Sequence, residues 1–132
     1  MRPLIGVLAR PDKLISSNLI YAVSKEINDA IVKNGGILIS IIPPTTQTLI
    51  DKNIENTQSL TAEEFDEIKR IIDMCDGIVL QGGDKFYDYD LKVIEYCHKV
   101  DKPLFGICLG MQSIAYAFNG DMKDFGNLSH KS

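Results

Sequence analysis

Four apolar runs limit what this chain can become: Leu4–Leu8, Ile37–Ile42, Ile78–Leu80 and Pro103–Ile107. They are nearly continuous rather than alternating. A strand with one wet face alternates apolar and polar residues, whereas a strand covered on both faces is apolar throughout. Stretches with helical spacing lie between the runs. Strands separated by helices make βαβ units with right-handed crossovers. The expected architecture is therefore α/β, a three-layer α/β/α sandwich built on a mostly parallel sheet.

The helical stretches can be placed by their apolar spacing and their end signals. Residues 18–34 put Ile20, Val23, Ile27 and Ile31 on one face of a helix, with Ser16 or Ser17 as a cap and Gly35 as the stop. Pro43-Pro44 stops the second strand, and residues 45–60 read as a long polar loop of the kind that often carries function. Thr61-Ala-Glu-Glu64 is a capping box, followed by an apolar stripe of Phe65, Ile68, Ile72 and Cys75. Asp76-Gly77 turns the chain into the third strand, and a further helix is expected near residues 90–100. A last helix should occupy Met111–Phe118.

A length of 132 residues predicts one domain. The net charge of -4 gives no footprint for nucleic acid or a membrane surface. The apolar runs are too short to span a bilayer, and the N-terminal apolar stretch is too short for a signal peptide. A cytoplasmic protein is the expectation. The three cysteines, Cys75, Cys97 and Cys108, show no CxxC spacing, which disfavours a disulfide framework and a zinc site. Cys75 and Cys97 fall on apolar helix faces and read as small core residues. No metal or other cofactor is called for.

The chemistry concentrates in Gly106-Ile-Cys108-Leu-Gly110-Met-Gln112. A cysteine at a strand-to-helix junction, with small residues around it, presents its sulfur clear of the backbone. The N-terminal amides of the following helix favour the thiolate and can bind an oxyanion. Leu109 N–H is one oxyanion donor by this logic. Gln81-Gly-Gly-Asp84 leaves the third strand at the same kind of position, the carboxyl end, where sites of such sheets form. Its glycines could bring a second donor. Asp84, Asp88 and Asp90, with Tyr87 and Tyr89, could contact the amine end of a substrate, but capping of the next helix by Asp88 or Asp90 is the favoured reading.

Together these residues resemble the class I glutamine amidotransferase superfamily, with its flavodoxin-like fold. Gly106, Cys108, Gly110 and Gln112 match the GxCxGxQ elbow. Pro3–Val7 and Asp76–Asp84 look more like its γ-glutamyl hydrolase branch. The resemblance implies that Cys108 forms a γ-glutamyl thioester, that the Gly83 and Leu109 amides hold the oxyanion, and that Gly82 and Gln112 contact the glutamyl group. The implied substrate is a small γ-glutamyl amide or glutamine.

The family completes its triad with a His-x-Glu pair far beyond the cysteine, whereas this sequence ends at Ser132. His98 precedes the nucleophile strand and His130 has no acidic residue two positions on, so neither is expected to be the base. The expectation is thus a single, incomplete amidotransferase-like domain, 1–132, inactive alone. An uncovered sheet edge predicts a homodimer or a C-terminal fragment that completes the fold. The competing reading is a non-catalytic remnant or interaction module of the same fold. A protease-like relative that pairs cysteine with glutamate fits less well, because no glutamate ends the first or second strand.

Overall fold

The computed structural model describes residues 1–47, 60–82 and 88–106. Strands β1 (Leu4–Leu8), β4 (Ile37–Ile41), β5 (Gly77–Leu80) and β6 (Leu104–Gly106) form one parallel sheet in the order β4-β1-β5-β6. A small antiparallel hairpin, β2 (Arg10–Lys13) and β3 (Leu19–Ala22), follows β1. Three helices complete the described fold: α1 (Lys25–Lys33), α2 (Ala62–Met74) and α3 (Asp88–Lys99). The mostly parallel α/β sheet with flanking helices is as the apolar runs predict.

The register shows why both sheet faces are apolar. Side chains alternate along a strand. Leu8, Ile41, Ile78 and Leu80 therefore share one face with the partly buried Ile39 and Leu104. Helices α2 and α3 cover that face with Phe65, Ile68, Ile72, Val93, Ile94 and Cys97, and these residues form one core. Gly6 lies on the same face. A Cβ there would come within 2.8 Å of Ile41 and Ile78 and 2.9 Å of Cys75 Sγ, so the core closes directly over the backbone. The other face carries Ile5, Val79 and Phe105, which line a groove with Ile27, Ala30 and Ile31 of α1 and are only partly covered, Phe105 being 44% exposed. An apolar groove of about 340 Å³ remains open between α1 and these strands.

The helix predicted over residues 18–34 is shorter than its spacing implied. Leu19–Ala22 is a strand, and α1 begins only at Lys25 with Ser24 as its N-cap, not Ser16 or Ser17. Ile20 and Val23 match helical spacing by coincidence. Leu-Ile-Tyr-Ala pairs instead with Arg10–Lys13 across a turn in which Ser17 takes a φ of 72°. Ile27 and Ile31 do face the sheet from α1. Gly35 does end the helix: at φ 88° it lets Gly36 N–H reach Ile31 O at 2.9 Å and Gly35 N–H reach Val32 O at 3.0 Å. Asp101 makes the same turn after α3, at φ 58°. There Lys102 N–H reaches Cys97 O and Asp101 N–H reaches His98 O.

The capping box is present as read. Glu64 N–H donates to Thr61 Oγ1 at 3.1 Å, and Thr61 N–H donates to Glu64 Oε1 at 2.8 Å. Thr61→Ala should cost about 1 kcal/mol, read as a lower urea midpoint at unchanged slope. The Thr61 backbone bond, chiefly, holds the Glu64 carboxyl below its ordinary range. A carboxylate with a lowered folded pKa stabilises the fold above its unfolded pKa, and that stability is lost as pH falls through the folded value. Glu64→Gln should therefore flatten the acid limb of the stability profile.

Candidate active site

The carboxyl ends of β5 and β6 lie side by side. Leu80 is in register with Gly106, and the two strands are hydrogen-bonded neighbours. The chain leaving β5 passes through Gln81 and Gly82, and the chain leaving β6 leads two residues on to Cys108. Gly82 is therefore placed at the sheet end from which the Cys108 segment departs. Cys108, Leu109, Gln112 and Gly83 lie outside the described residues, as do Asp84, Tyr87 and His130. His98 is on the last turn of α3, just before the chain turns into β6. It is thus at the opposite end of the sheet from Gly106.

A buried polar network underlies Gly82. Arg10, Gln81 and Asp90 are 7%, 4% and 0% exposed. Arg10 Nη1 donates to Asp90 Oδ1 at 2.6 Å. Its Nη2 and Nε donate to Gln81 O at 3.0 and 3.3 Å. The Gln81 side chain is fully engaged. Its Nε2 donates to Leu8 O at 2.9 Å and Ala22 O at 2.7 Å, and its Oε1 accepts from Ser24 N–H at 3.1 Å. Both acceptors and the one donor demand the same amide orientation, so the assignment of O and N follows from the partners. One side chain thus ties the end of β1, the hairpin and the start of α1 to the loop after β5.

Asp90 sits in the first turn of α3 and is buried against Arg10. Asp88 is the first residue of α3 and is 3.8 Å from Lys92. Sequence reading did not single out Arg10 or the side chain of Gln81. The signal for Gln81 was its place directly after an apolar strand. Arg10 had none, because a charge after a strand reads as surface.

The other two cysteines are unsuited to nucleophilic work. Cys75 and Cys97 are buried in the core. Burial pushes the Cys97 thiol up to about 11 and also raises that of Cys75. Lys102 lowers both only in part, while its Nζ donates to Cys75 O. A thiol that stays protonated at neutral pH is a poor nucleophile.

The family model for glutamine amidotransferase class-I matches residues 37–132. The chain belongs to the class I glutamine amidotransferase family. A putative glutamine amidotransferase-like protein of Acanthamoeba polyphaga mimivirus is 35% identical over 108 residues, covering 75% of the chain and 49% of that protein. A glutamine-hydrolyzing GMP synthase subunit of Methanosarcina mazei is 31% identical over 101 residues, 73% of the chain and 48% of that protein. The CTP synthase of Thermotoga maritima is 33% identical over 82 residues, 60% of the chain but 16% of the synthase. This amidotransferase chain spans at most about half the length of these relatives. None of its described helices is long and apolar enough to cross a membrane.

Proposed function

We propose that this chain carries the nucleophile half of a cysteine amidohydrolase for glutamine or a small γ-glutamyl amide. Cys108 Sγ attacks the γ-carboxamide carbon, and the oxyanion forms beneath the Gly83 and Leu109 amides. The C–N bond then breaks, and the leaving nitrogen takes a proton. A γ-glutamyl thioester remains. Water hydrolyses it to glutamate and returns the thiol. Gly82 and Gln112 contact the glutamyl group. The base that deprotonates Cys108 and the acid that protonates the leaving amine come from a His-x-Glu pair supplied by a separate C-terminal fragment, since neither His98 nor His130 is followed by an acidic residue two positions on.

The observation that carries this reading is the pairing of Leu80 with Gly106. It starts the glycine loop and the nucleophile segment from adjacent points at the same sheet end, where ligands of parallel α/β sheets bind. The likeness of the Pro3–Val7 and Asp76–Asp84 sequences to the γ-glutamyl hydrolase branch favours hydrolysis over ammonia transfer in this reading.

Iodoacetamide at pH 7, read peptide by peptide, tests the nucleophile. Cys108 should be alkylated faster than a free thiol, while Cys75 and Cys97 stay unmodified in the folded chain. A Cys108 no faster than a free thiol would overturn the reading and leave a non-catalytic module of the same fold.

A further inference from the structure

The Gln81–Gly82 peptide is held from below by a charged side chain that contributes nothing to the sheet ladder. The Gln81 carbonyl accepts from two nitrogens of Arg10, and Asp90 holds the third nitrogen of the same guanidinium. Described peptide bonds are trans. In a trans peptide the carbonyl and the following N–H point in opposite directions. Anchoring Gln81 O on Arg10 therefore turns Gly82 N–H away from the buried guanidinium. The cost of desolvating a full ion pair far exceeds what is needed to end a strand. Water or a backbone N–H could satisfy the carbonyl more cheaply. The planar fork of arginine supplies direction as well as satisfaction.

We propose that Arg10 is a positioning residue for glutamyl recognition. With Asp90 fixing its guanidinium, it orients the Gln81–Gly82 peptide so that Gly82 N–H is presented to the γ-glutamyl group. This rests on the γ-glutamyl reading above. Gln81, whose side chain is used entirely within the fold, anchors the same loop to α1 and the hairpin.

The test compares two labels on Cys108 of the chain assembled with the fragment that carries the His-x-Glu pair: a glutamine-like diazoketone, which must be recognised before it reacts, and iodoacetamide, which need not be. Arg10→Lys keeps a cation opposite Asp90 but loses the fork on Gln81 O. Diazoketone labelling should fall at least about tenfold, since small misplacements at a reacting centre carry penalties of this size. Iodoacetamide labelling should stay within about twofold, because thiolate chemistry at Cys108 is untouched.

The double variant Arg10→Met/Asp90→Leu replaces the ion pair with apolar groups and should recover thermal stability. It should remain as slow with the diazoketone as Arg10→Lys. A purely structural pair predicts the reverse, recovery of both. Overturning results are a folded Arg10→Lys or double variant that labels at the wild-type rate, or a parallel fall of both labels. If the wild-type assembly that includes the His-x-Glu pair takes iodoacetamide at Cys108 but never the diazoketone, the γ-glutamyl reading itself fails, and this inference with it.

Discussion

Asp90→Ala should destabilise the fold by about 3–5 kcal/mol, the range for removing one partner of a buried ion pair. The measurement is urea unfolding followed by far-UV circular dichroism. The size follows from burial rather than from distance. Arg10–Asp90 and Lys25–Asp29 are both 2.6 Å long. The first pair has side chains 8% and 0% exposed, and the second 86% and 47%. In water the second pair gains little Coulomb energy and orders two mobile side chains, so Asp29→Ala should cost about 0–1 kcal/mol. Removing Asp90 instead takes away the carboxylate that faces a buried guanidinium, with no bulk solvent to replace it. Equal losses from the two variants would show that Arg10 reaches solvent in the folded chain.

The second large effect is in the core. Ile68→Ala should cost about 2–5 kcal/mol through lost burial and the cavity left behind. Ile68 is 0% exposed, on the α2 face turned to the sheet. The core it belongs to is built from β1, β4, β5 and α3 as well as α2. Val32 on α1 is 50% exposed, and Val32→Ala should change stability by no more than about 0.5 kcal/mol. Thermal melts of the two variants against wild type read the difference directly.

What the sequence made legible was whatever is local or periodic. Continuous apolar runs announced β1, β4, β5 and β6 because a doubly covered strand has no wet face to mark. The Thr61–Glu64 box was legible because all its atoms lie within one helical turn. The hairpin was not. Ile20, Val23, Ile27 and Ile31 sit at helical spacing, yet strand pairing with Arg10–Lys13 claims the first part of the segment. Tertiary pairing overrides a four-residue periodicity whenever the competing ladder is available.

The polar network was hidden for a different reason. Arg10 and Asp90 are 80 residues apart, and nothing in either neighbourhood says that its charge is buried. Such pairs become visible only once topology brings the strand end and the helix start together. In the sequence the candidate site reads as a motif at Gly106–Gln112 and as a glycine loop at Gly82, of which only Gly106 and Gly82 lie among the described residues. The guanidinium beneath that loop was not legible.

The strand order also sets a timetable for the ribosome. β1 emerges first but lies in the middle of the sheet, between β4 and β5. Its contact with the Asp76 side chain spans 72 residues of chain. At synthesis rates of roughly 5–20 residues per second, the nascent β1 waits about 4–14 s for that partner. Its Leu8, Val7 and Ile5 are exposed in the meantime to whatever else binds apolar strands. Pairing with β4 relieves one edge early, and closure of the sheet depends on the later half of the polypeptide. A nascent chain stalled before Gly77 would hold β1 paired to β4 with the edge that β5 later takes still open.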